Sequence, residues 1–169
     1  MATVIVVQGT PAAGKTTISD RLARDLGIGV IHKDSLKEYL GDTIGVPASE
    51  FETKQYGRAV IGAMFAMLAE LAKTNKTFIF ESAFWSDYAN INFERSLAGT
   101  ESRVMQLYVY CDPDLIQPRY SQRIESGNRH AVHDRDRVLA DERTQRRPQP
   151  EPRHVVAAER VRPVEHNEG

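Results

Sequence analysis

The chain has 169 residues, enough for one domain with a buried core but not for two full ones. Its 22 Lys and Arg against 23 Asp and Glu leave a net charge of -1, which gives no global field for holding a polyanion such as duplex nucleic acid. The lone cysteine, Cys111, excludes an internal disulfide, and the longest apolar stretch, residues 59–72, contains Gly62 and Glu70 and falls short of the roughly 20 residues that cross a bilayer. With no basic run before the first apolar stretch, a signal peptide is not expected, and the expected setting is cytoplasmic with no membrane attachment.

Residues 3–7 are β-branched and almost uniformly apolar, the pattern of a strand covered on both faces. A glycine loop follows. Residues 16–26 then carry Ile18, Leu22 and Leu26 at four-residue spacing and stop at Gly27, which predicts an amphipathic helix with a glycine stop. Residues 29–32 read as a second short strand, and Ser35 with Glu38 as a capping box that opens another helix. A long helix is predicted over about 50–73, with Val60, Ile61, Met64, Leu68 and Leu71 as its apolar stripe. Residues 77–80 form a third strand ending at Glu81, and 104–110 a fourth ending at Cys111, Asp112 and Pro113.

Alternating strands and helices predict an α/β three-layer sandwich: a parallel sheet with helices on both faces, its ligands at the carboxyl ends of the strands. Composition then changes. Every Phe, Tyr and Trp lies at or before Tyr120, and four of the eight prolines lie from Pro148 onward. The expected organisation is one domain over residues 1–147, with an arginine-rich lid at about 119–137, and a weakly ordered tail over 148–169 in which residues 154–161 make a poor fifth strand.

The pattern G-x-x-x-x-G-K-[ST] is matched in full by Gly9, Gly14, Lys15 and Thr16, after a strand and before a helix. Such a loop turns its N–H groups inward as an anion nest, and the helix behind it adds the positive end of its dipole. Gly9, Pro11, Ala12, Ala13, Gly14, Lys15, Thr16 and Thr17 are therefore the expected contacts for the phosphates of ATP. Lys15 would reach the β- and γ-phosphates, and the Thr16 hydroxyl would coordinate Mg²⁺. A Mg²⁺ site also wants a carboxylate at a neighbouring strand end, for which Glu81 and Asp112 compete. Asp112 precedes Pro113, a common helix N-cap arrangement, so Glu81 is favoured.

Asp34 lies just past the second strand, where a carboxylate can accept the proton of an attacking hydroxyl; the bland alternative is a helix cap. Lys33 reads as an exposed loop lysine. Arg119 and Arg123 stand one helical turn apart, and Arg129 follows the flexible run 126–128, a spacing that suits a lid closing over phosphates; a solvated arginine face is the alternative. His130 and His133, three apart without cysteine nearby, fit a structural or substrate-contact role better than a metal site.

Together these segments, Gly9 to Thr17, 33–38, 78–81, 111–113 and 119–133, resemble the small P-loop kinase-like proteins often labelled AAA-family ATPases, with zeta toxins and chloramphenicol phosphotransferase as relatives. The resemblance implies a five-stranded sheet of order 2-3-1-4-5, ATP as donor, an aspartate base after the second strand, and an arginine lid. Those roles fall on Lys15, Thr16, Asp34, Arg119, Arg123 and Arg129. The C-terminus departs from the pattern, since such kinases finish with a strand and helix that help to hold adenine; dimerisation would supply that cover, or the end is an altered one. The expected function is transfer of the γ-phosphate of ATP to a hydroxyl of a small molecule, with a nucleotide-dependent switch or slow ATPase as the alternative.

Overall fold

The computed structural model describes residues 1–84, 86–126 and 129–133. At its centre is β1 (Ala2–Gly9), hydrogen-bonded on one side to β3 (Thr77–Glu81) and on the other to β4 (Ser102–Val109), with β2 (Gly29–His32) beyond β3. All three pairings are parallel, so the sheet order is β2-β3-β1-β4 and the first four strands take the expected positions. The fifth strand expected at 154–161, the tail from 148 and the end of the lid at 137 lie outside the described residues.

The alternation of side chains along β1 divides the core in two. Ile5 and Val7 face α1 (Lys15–Leu26), where they pack with Ala13, Ala23, Ile79 and Val109. Val4 and Val6 face the opposite layer, α3 (Glu50–Ala72) and α4 (Ser86–Leu97), and meet Val60, Met64, Phe65, Leu68, Phe78, Phe80 and Phe93. The predicted α3 stripe is the one that packs, with Val60, Met64 and Leu68 buried and Ile61 and Leu71 partly so. Phe65 and Phe93 cross edge to face at 5.1 Å, and this aromatic cluster ties the two helices to each other.

Helix ends explain where the elements stop. Gly27 adopts the left-handed conformation (φ 63°) while its N–H and that of Ile28 return to Arg24 and Ala23, which closes α1 as the sequence implies. Leu26, expected in the apolar stripe, is exposed; Ser19 and Ala23 take the buried face beside Ile18 and Leu22. The expected capping box at Ser35 and Glu38 does not form. Helix α2 (Lys33–Ile44) begins three residues earlier, directly from β2, with His32 as its N-cap and no side-chain cap bond. The reciprocal cap occurs instead on α3, where Ser49 Oγ accepts from the Glu52 N–H at 3.2 Å and Glu52 Oε2 accepts from the Ala48 N–H at 2.6 Å. Asp112 caps α5 (Pro113–Glu125) as expected, its Oδ1 accepting from the Asp114 N–H at 3.0 Å. A short 3₁₀ turn, Ala131–His133, then lies against α2.

Candidate active site

The carboxyl ends of β1, β2 and β3 converge on the loop between β1 and α1. Gly9 is set against β4 so tightly that a Cβ there would lie 1.8 Å from the Val109 carbonyl oxygen. Ala12 and Gly14 both take left-handed conformations, φ 58° and 89°. For Ala12 this costs on the order of 1–3 kcal/mol, a strain that clusters at active sites, ligand clamps and switch regions. Gly14 is the N-cap of α1 and offers no side-chain acceptor, so the first-turn N–H groups keep their donors for an anion. Thr10 Oγ1 is buried with no hydrogen-bond partner among the described residues. A nest of this geometry, with Lys15 inside it, fits a polyphosphate. Lys15 Nζ curls back to donate to the Thr10 carbonyl at 2.9 Å; burial lowers its pKa, against the opposing pull of Glu81 and Asp34.

Behind the loop stands Glu81, 5% exposed at the end of β3. Its Oε2 accepts from the Thr16 hydroxyl at 3.4 Å. Asp112, the competing carboxylate, is exposed and occupied with its cap, so the carboxylate beside Thr16 is Glu81. A hydroxyl and a buried carboxylate side by side at a phosphate nest are a donor set suited to Mg²⁺, which binds through few protein oxygens and keeps its waters and phosphate ligands. Among the described residues no group of three or more His, Cys, Asp and Glu could hold a metal ion.

His32, the last residue of β2, was not singled out from the sequence. Its Nδ1 lies 3.1 Å from the same Glu81 Oε2, and its Nε2 2.9 Å from Asp20 Oδ1 on α1. Hydrogen bonding to Glu81 raises its pKa above the ordinary histidine value, against burial and with help from Asp20. The signal was present in the strand ends. In a 2-3-1 order, the polar residues closing the second and third strands are neighbours, and the register indeed pairs His32 with Glu81.

Asp34 sits in the first turn of α2 rather than in a loop, with its side chain half-exposed and 3.8 Å from Lys33 Nζ. Partial burial pushes its pKa up, but Lys33 above all, then His133, Lys15 and Arg123, outweigh that and hold the carboxyl below its ordinary value. Asp34 is not the cap, which is His32, but an acidic residue in a first turn is favourable in its own right. Lys33 is partly buried and part of the same turn, not an exposed loop lysine.

Arg119 and Arg123 are exposed on α5, and the charge of Arg123 acts on both Asp34 and Lys15. Arg129 Nη2 donates to the His133 carbonyl at 3.2 Å. The two histidines pair with α2: His130 Nε2 lies 3.0 Å from Asp42 Oδ1, and His133 Nε2 3.0 Å from Glu38 Oε1. Glu38 therefore serves the 3₁₀ turn and not a cap.

Residues 4–154 match the family model described as AAA domain. The chain belongs to the AAA domain family. Within it, this AAA domain is a P-loop kinase-like protein. Among solved structures it is similar to a protein from Chloroflexus aurantiacus J-10-fl provisionally designated a kinase, with 28% identity and a TM-score of 0.75 over 88% of this chain and 82% of that one. It also resembles a gluconokinase from Sinorhizobium meliloti 1021, at 15% identity and a TM-score of 0.52 over 93% of this chain and 79% of that one. A chain of the Pnkp1/Rnl/Hen1 RNA repair complex aligns at 15% identity and a TM-score of 0.59 over 92% of this chain but 49% of its own length. The last two likenesses concern the fold. No curated protein matches the chain significantly. No helix among the described residues is long and apolar enough to cross a membrane.

Proposed function

We propose that this AAA domain is an ATP-dependent phosphotransferase that moves the γ-phosphate of ATP to a hydroxyl group of a small molecule. The observation that carries the reading is the meeting, at three strand ends, of the nest from Gly9 to Thr16, the Thr16–Glu81 pair, and the ionised carboxylate of Asp34 within the electrostatic reach of Lys15 and Arg123. The loop N–H groups and Lys15 bind and orient the triphosphate. Thr16 and Glu81 would hold Mg²⁺, which when bound neutralises phosphate charge.

Asp34 accepts the proton of the acceptor hydroxyl as its oxygen attacks the γ-phosphorus. The new O–P bond forms as the bond to the β-phosphate oxygen breaks, and ADP leaves with the electron pair. With its pKa held low, Asp34 is a weak base whose part is mainly to orient the hydroxyl; in a loose phosphoryl-transfer transition state little proton transfer is needed early. Arg119, Arg123 and Arg129 would close over the phosphates and keep water from the γ-phosphorus. The near-neutral charge balance supports a small acceptor rather than a nucleic acid.

A second reading is favoured by one observation: Asp34 lies in the first turn of α2 beside Lys33, where a carboxylate also serves the helix alone. The AAA domain would then be a nucleotide-dependent switch or slow ATPase with no acceptor. ADP release from Mg·ATP, measured with and without a panel of hydroxyl compounds, separates the two. Acceptor-dependent release that is lost in Asp34→Asn supports the phosphotransferase, whereas a slow rate indifferent to acceptor and to Asp34 supports the switch.

A further inference from the structure

Four side chains close a ring behind the phosphate loop. Thr16 donates to Glu81 Oε2, His32 Nδ1 meets that same oxygen, His32 Nε2 meets Asp20, and Asp20 lies one helical turn after Thr16 on α1. The ring therefore starts and ends on the helix that carries the phosphate loop, passing through β3 and β2. Each ring nitrogen of His32 faces a carboxylate oxygen, a group that accepts and does not donate, so both nitrogens are the donors in these bonds. A single-headed side chain at position 32 reaches one partner only; imidazole spans both with a rigid plane.

We propose, on the reading of Thr16 and Glu81 given above, that His32 is a positioning residue which fixes Glu81 against Thr16 and thereby sets the affinity of the nucleotide complex for its divalent cation. The side chain of Glu81 is attached at the end of a strand and has rotamers to choose from. Thr16 offers it one bond at 3.4 Å, a long contact, while His32 offers a shorter one at 3.1 Å that is itself held from behind by Asp20 at 2.9 Å. Outer partners of this kind typically change metal affinity or activity by 10- to 100-fold. Because His32 leads directly into α2, the same ring holds the start of that helix, and with it Asp34, at a fixed place relative to the phosphate loop.

The test uses the whole chain with ADP and Mn²⁺ as probe, reading bound Mn²⁺ by electron paramagnetic resonance, beside ADP binding in the absence of metal. His32→Ala is expected to weaken Mn²⁺ binding to the ADP complex by about 10- to 100-fold while metal-free ADP affinity is unchanged. His32→Asn, which keeps one N–H toward Glu81, recovers part of the loss, and Asp20→Asn loses less than His32→Ala. Should His32→Ala fail to fold, the Asn variants at 32 and 20 read the same quantity. Wild-type Mn²⁺ affinity in the His32 and Asp20 variants, with Glu81→Gln weakened, overturns the positioning role. Wild-type affinity in Glu81→Gln itself overturns the metal reading on which the role rests.

Discussion

Gly9→Ala isolates the close approach that shapes the phosphate loop. The added methyl would lie 1.8 Å from the Val109 carbonyl oxygen, more than an ångström inside any contact a real Cβ makes, and the nearest atoms are backbone, which cannot swing aside as a side chain does. Gly9 pairs with Val109 in the parallel register, so relief requires β1 and β4 to part at the mouth of the site. Overpacking of this kind costs about 1–3 kcal/mol or more, and holding a non-glycine residue at φ 151° adds roughly 1–3 kcal/mol. A loss of about 2–6 kcal/mol is expected, a large fraction of the ~5–15 kcal/mol of a typical domain. Urea unfolding measures it, with Gly29→Ala as control, since a Cβ at Gly29 meets nothing within 4 Å. Wild-type midpoint and wild-type ATP affinity in Gly9→Ala would refute the packing account of the loop.

Gly62, in the interior of α3 with open space around it, should gain about 0.5–1 kcal/mol on replacement by Ala, read from the same urea curves. Phe80, 1% exposed and edge to face with Phe78, should cost about 3–5 kcal/mol on truncation to Ala, lowering the thermal midpoint. Asp34 has a folded-state pKa below its ordinary 3.8, so its contribution is fully present above that value and is lost as pH falls through the lower folded one. Asp34→Asn should therefore flatten the acid side of the stability curve below pH 3.8, while a curve parallel to wild type would show that its cationic neighbours do not act on it.

Most of the sheet was legible because each strand is a short apolar run with punctuation at its end: Gly9 closing β1, Glu81 closing β3, Cys111 and Asp112 after β4. The phosphate loop was legible because its spacing is fixed by backbone geometry that only certain residues allow, at Gly9 and Gly14 above all. The start of α2 was misread. Ser35 and Glu38 fit a local cap, but β2 runs into the helix without a break and Glu38 is drawn off by His133, 95 residues away in the chain. Leu26 shows the same limit, since four-residue spacing from Ile18 and Leu22 does not by itself say which face of the last turn is buried, and Ala23 takes that place. His32 was missed for the converse reason: its partners, Asp20 and Glu81, are 12 and 49 residues distant and become neighbours only through strand register.

The central claim is tested most directly by following the γ-phosphate of labelled ATP in the presence of hydroxyl acceptors. Label appearing on an acceptor with wild type, and lost with Asp34→Asn while ATP affinity is retained, is the result the account predicts. Label released only as inorganic phosphate, at a rate unaffected by any acceptor or by Asp34→Asn, would contradict it.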